Sequence, residues 1–194
     1  MRARHKHLVW MIVLAMALAS AFAQTVALDP ALLAKANAGD AAAQIAVGER
    51  LAESAAAEHN ATQAAEEYKQ AAEWYRKAAL QTSIAGQMHL AALYRDGGKG
   101  FPRDMAQAAE WYRKAAEQGD VTAQGTLGVL YSFGQGVAQN YVEAYYWLDL
   151  AASVKGPEQE KYAANRQMIG THITADELAD VEERVAKWQA AHPR

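Results

Sequence analysis

The sequence has no cysteine, four prolines and three phenylalanines among its 194 residues. Without thiols there is no disulfide framework, no thiolate nucleophile and no site for lipid attachment at a cysteine. The folded part must therefore be held by its own apolar core. Scarce proline removes the commonest helix breaker, and no stretch alternates apolar and polar residues as a half-buried strand does. Alanine, the best helix former, is abundant. These features exclude a β architecture and predict an all-α chain.

Chemistry-bearing patterns are also missing. Beyond the N-terminal region the only histidines are His59, His89, His172 and His192, without metal-ligand spacing and without H-E-x-x-H. No serine lies in G-x-S-x-G. The run Gly97-Gly98-Lys99-Gly100 lacks the Ser or Thr that must follow the lysine of a phosphate loop. Its glycines recur later as a turn. No catalytic residue, metal or cofactor is expected.

The N-terminus reads as a secretory signal peptide over residues 1–23. Arg2, Arg4 and Lys6 precede an apolar run from Leu8 to Ala19, and Ala21-Phe22-Ala23 offers a small-x-small cleavage pattern. An uncleaved anchor is the alternative, though the run is short of the ~20 residues that span a bilayer. After cleavage no stable membrane insertion is expected, and the location is periplasmic if the source is bacterial. Removing those residues leaves 16 Lys and Arg against 22 Asp and Glu, a net charge of −6. A mildly acidic chain with no basic stripe is not expected to bind nucleic acid. The oligomeric state is not legible.

What is present is repetition. QAAEWYRKAA occurs at residues 70–79 and again, 37 positions on, at 107–116. Around it, Leu90, Leu93-Tyr94, Gly97 and Gly100 match Leu127, Leu130-Tyr131, Gly134 and Gly136. Ala108, Trp111 and Ala115-Ala116 match Ala144, Trp147 and Ala151-Ala152, with Lys99 as a one-residue insertion. A looser copy runs from Gly39-Asp40 through Ala43-Gln44 and Val47-Gly48. Such a period signals stacked helical hairpins.

Ala108, Trp111, Tyr112 and Ala115 fall at i, i+3, i+4 and i+7, one face of a second helix. Glu73→Lys77 and Glu110→Lys114 have the spacing of intrahelical ion pairs. Gly48 and Gly128 lie mid-helix, and a tryptophan ring over each gap is the simplest compensation. Asn60, Asp104 and Asn140 read as N-caps, Asn60 opening a second helix about two turns longer than its counterparts. Asn60-Ala-Thr62 also fits a glycosylation acceptor but reads as a cap. Asp29-Pro30 opens a short helix, and Thr174 to Glu177 a capping box with Ile173 and Leu178 as a staple. Leu178, Val181, Val185 and Trp188 form a stripe of that last helix.

The pattern resembles the Sel-1-like repeat family, relatives of tetratricopeptide repeats, through Ala123 to Tyr131, Gly134-Gln135-Gly136-Val137 and Trp111 to Asp120. The resemblance implies an all-α solenoid of antiparallel helix pairs. The expected division is a signal peptide (1–23), an N-terminal capping helix (24–39), a degenerate first repeat (40–80), two further repeats (81–118 and 119–153) and C-terminal capping helices (154–194). It also implies a protein-interaction scaffold whose first helices line a concave side. A helical wheel places a partner-binding strip at Ile45, Glu49, Met88, His89, Ala92, Arg95, Thr126, Val129 and Ser132, with Gly125 also pointing away from the core. The expected partner is a protein or peptide. Two alternatives stay open: an enzyme acting on cell-envelope material, and a toxin-neutralising inhibitor using the same surface.

Overall fold

A computed structural model describes residues 28–193. The expected signal peptide lies outside the described residues. Within them the chain forms α1 (Pro30–Asn37), α2 (Ala41–Ala57), α3 (Ala61–Leu80), α4 (Ile84–Asp96), α5 (Met105–Glu117), α6 (Val121–Phe133), α7 (Tyr141–Ala152), α8 (Gln159–Gly170) and α9 (Ala175–Ala191). Among the described residues no strand forms; one isolated bridge joins Gly98 and Phe101. Each first helix packs on its own second helix, as α2 on α3, α4 on α5 and α6 on α7. Each second helix packs on the next first helix, as α3 on α4 and α5 on α6. The result is the expected all-α solenoid.

Caps set the helix starts. Asp29, Asp40, Asn60, Ser83, Asp104, Asp120, Asn140 and Thr174 each accept a backbone N–H of the following turn, satisfying donors that the helix leaves orphaned. Asn60 serves both Thr62 N and Gln63 N. Thr174 and Glu177 complete the capping box. At the other end, Gly97 and Gly134 terminate α4 and α6 at φ +66°, a conformation that costs side-chain-bearing residues.

The stripe of the second helices is the core: Ala108, Trp111, Tyr112 and Ala115 are all buried, as are Tyr75, Trp147 and Leu148. Trp74 is half-buried. Two expectations need correction. The gap at Gly48 is filled by the Tyr75 ring, 2.6 Å from where a Cβ would stand, and that at Gly128 by Leu148 Cγ at 2.7 Å. The compensation is thus the residue after the tryptophan, because that position faces the repeat's own first helix. Nor do Lys77 and Lys114 pair with Glu73 and Glu110. Their ammonium groups lie 3.7 and 4.1 Å from the ring centroids of Trp74 and Trp111, where the indole quadrupole attracts a cation.

Two polar ladders fix the register between repeats. Buried Gln44, Gln87 and Gln124 donate from Nε2 to the carbonyls of Ala36, Ala79 and Ala116 at 3.1, 3.4 and 3.1 Å, at the end of the preceding helix. Gln81 and Gln118 in turn donate to the Oε1 atoms of Gln44 and Gln87 at 2.8 and 2.7 Å. In the second ladder Arg76 and Arg113 donate to the hydroxyls of Tyr94 and Tyr131 on the next first helix.

The C-terminal helices continue and then leave this pattern. α8 packs on α7 and touches α6, in the place of a fourth first helix. α9 instead folds back onto α7, with Val181 and Val185 buried. Arg184 Nη2 donates to Glu143 Oε1 at 2.7 Å, and its guanidinium lies over the Tyr146 ring.

Candidate functional site

The strip residues occupy the first helices α2, α4 and α6, of which α2 and α4 touch directly. Five of them, Met88, His89, Ala92, Arg95 and Thr126, border one depression of about 250 Å³ between α4 and α6, completed by Tyr112 and Thr122. Met88 and Ala92 stand one turn apart on α4, and Thr122 and Thr126 face them from α6. The depression therefore has an apolar floor and a polar rim.

The rim is ordered by hydrogen bonds. Arg95 grips Asp96 through Nε and Nη2, both at 2.7 Å, and its Nη1 donates to the Tyr112 hydroxyl at 2.9 Å. The bond to Arg95 holds the Asp96 carboxyl below its ordinary range. Burial pushes the Tyr112 phenol up, against the opposing pull of Arg95. On the α2 side, His89 stacks on Tyr75 with ring centroids 5.0 Å apart, and its Nε2 lies 3.3 Å from Glu49 Oε1. Burial, then the charges of Glu49 and Glu53, raise the Tyr75 phenol far above its usual value. Both phenols are held in their neutral form, so that each hydroxyl serves as a hydrogen-bonding group.

The remaining strip residues are less gathered. Ile45 is half-buried against the core. Val129 is half-exposed on α6, and Ser132 is buried with its hydroxyl donating to Val129 O at 2.8 Å. Gly125 does not point away from the core: the Tyr162 ring covers it, 2.1 Å from where a Cβ would stand. A wheel drawn on one helix cannot see α8 arriving from the next position in the array. Tyr112 and Thr122 were not singled out for this site. Tyr112 reads as core from its periodicity and is core, yet it also lines the depression, where its hydroxyl accepts from Arg95. The i, i+4 spacing of Thr122 and Thr126 was the available signal for the other.

A family model described as Sel1 repeat matches three segments of the chain, residues 41–83, 84–120 and 122–153. Among solved structures, the chain is similar to a protective antigen of uropathogenic Escherichia coli displaying an SLR fold. That match has 29% identity over 82% of this chain and 40% of the other, with a TM-score of 0.56. It is also similar to a Sel1 repeat protein from Oxalobacter formigenes, at 32% identity over 67% of this chain and 49% of that one, with a TM-score of 0.55. The aligned part thus spans less than half the length of either structure. No curated protein matches the chain.

Proposed function

Because the chain belongs to the Sel1-repeat family, whose repeats mediate protein–protein contacts and typically form non-enzymatic scaffolds, we propose that it is an exported scaffold binding a protein or peptide through the strip on its first helices. The observation that carries this reading is the depression between α4 and α6. At about 250 Å³ it falls just below the ~300–1,000 Å³ of small-molecule sites, a size suited to one large apolar side chain of a partner. Met88 supplies an adaptable surface for that anchor. Arg95, Thr122 and Thr126 offer hydrogen bonds to the partner backbone beside it.

The test is capture of partners from the exported fraction by the unchanged chain and by a Glu49→Lys, Met88→Lys double variant. Glu49 is exposed and Met88 half-exposed, so the fold tolerates both changes, which a thermal melt checks. Loss of capture at an unchanged melting temperature supports the strip; undiminished capture removes it. Export is tested separately by N-terminal sequencing of the chain from the envelope fraction. Gln24 as first residue supports cleavage, and a chain that keeps residues 1–23 in the cytosolic fraction refutes it. A toxin-neutralising role would use the same strip and differ only in the identity of what is captured.

A further inference from the structure

Among the described residues α8 is a first helix without a second. Two marks put it in register with the repeats. Gln159 Nε2 donates to Ala152 O at 3.1 Å, as Gln44, Gln87 and Gln124 donate to their preceding helices. Arg166 bonds Asp149 on α7, in the place where Tyr94 and Tyr131 meet Arg76 and Arg113, with the charges exchanged. Counting from Gln159, Ala163 then holds the position of Gly48 and Gly128, the close-approach site that a repeat's own second helix covers with Tyr75 or Leu148. Among the described residues nothing covers Ala163 in this way. The following helix, α9, is held on α7 by Val181, Val185 and Arg184, and it does not pack along α8. Between α8 and α9 an open cleft of about 550 Å³ remains, walled by Glu160, Ala163, Gln167 and Gly170 on one side and Leu178 on the other, with Tyr145 of α7 at its base.

We infer that this cleft is the seat of a fourth second helix and docks an amphipathic α-helix supplied by another protein. The repeat geometry defines the occupant's shape: a helix presenting a large side chain over Ala163 and small residues a turn on either side. Gln167 stands where Arg95 bonds the Tyr112 hydroxyl in the second repeat, so a tyrosine hydroxyl on the occupant would meet an amide. The charges define its sign. Arg166 is committed to Asp149, whereas Glu160 borders the cleft and Glu182 stands one turn along α9 from the cleft residue Leu178. Neither of these two carboxylates is in an ion pair among the described residues, and both are exposed. The occupant is therefore basic along its flanks.

The chain's own second helix supplies the probe. A capped synthetic peptide of residues 104–118 carries the packing stripe with a net charge of −1; with Glu110→Lys and Glu117→Lys it keeps the stripe and becomes +3. Each is titrated into the isotope-labelled full chain and followed by amide chemical shifts. The basic peptide saturates shifts at Ala163, Ala164, Gln167 and Gly170 and binds roughly fivefold or more tightly than the unchanged peptide, as two rim ion pairs imply. On a chain bearing Glu160→Lys and Glu182→Lys, the preference reverses. Ala164→Trp, at an exposed cleft position, abolishes binding without moving the melting temperature. Absence of saturable shifts at the cleft with either peptide overturns the inference. So does equal affinity for both peptides, or a shift map centred on Met88 and Thr126.

Discussion

Thr82 adopts φ +61°, in the left-handed region. It holds the turn position that Gly39 and Gly119 hold before α2 and α6, at φ +97° and +90°. In all three turns the residue's N–H donates to a carbonyl three residues back, at 3.0–3.1 Å, and the next residue caps a helix. A β-branched residue there costs about 1–2 kcal/mol, while glycine returns about 0.5–1 kcal/mol of that through unfolded-chain entropy. Thr82→Gly should therefore stabilise the chain by about 0.5–1 kcal/mol, read as a higher urea midpoint at unchanged slope. An unchanged midpoint would mean that the turn carries no strain. Residue identity also explains what was legible at this scale. Caps announce themselves because a short polar side chain before an apolar run has one obvious use. The partner of Gly48 did not, because Trp74 and Tyr75 are adjacent in sequence and only the rotation of α3 against α2 decides which one faces the glycine.

At the scale of elements, the third repeat shows what a ladder needs. Gln81 and Gln118 donate to Gln44 and Gln87, but Val154 stands at the corresponding position after α7. Its backbone makes the same turn, donating to Ala151 O as Gln118 donates to Ala115 O. Gln124 Oε1 is consequently buried without a hydrogen-bond partner. Val154→Gln should satisfy it and add about 0.5–1.5 kcal/mol, whereas Gln118→Val should cost about 1–3 kcal/mol by orphaning Gln87 Oε1. Paired thermal melts test both, and a Val154→Gln chain no more stable than its parent would dismiss the ladder. The same repeat shows how an element prepares for its neighbour. Glu110 and Lys114 on the outer face of α5 become Tyr146 and Leu150 on α7, and those two are buried beneath α9. That exchange is visible in the sequence, yet without α9 in place an exposed apolar patch would read equally well from it.

For the molecule as a whole, stability of a stacked array is a sum of repeat terms and nearest-neighbour interfaces, so its ends matter. Removing residues 171–194 would uncover Tyr146 and Leu150, 8% and 0% exposed in the intact chain, and would unpair Glu143 from Arg184. The expected loss is at least about 3 kcal/mol from the apolar faces alone, seen as a lower melting temperature with increased binding of an apolar dye. Changing Tyr146→Glu and Leu150→Lys in the truncated chain restores the polarity of the earlier repeats and should suppress the dye binding. A truncation that melts like the full chain would show that α9 is an appendage rather than a cap.

Sequence alone determined the helix class, the hairpin period, the caps at Asp29, Asn60, Asp104, Asn140 and Thr174, and the buried stripe, because each depends on contacts within about one repeat. Only the tertiary structure decided where α9 lies, which ring covers which glycine, that Tyr162 closes the strip over Gly125, and that Ala163 is left without its covering helix. Those outcomes depend on the angles at which whole helices meet, and such angles are set by packing between segments that local periodicity does not relate.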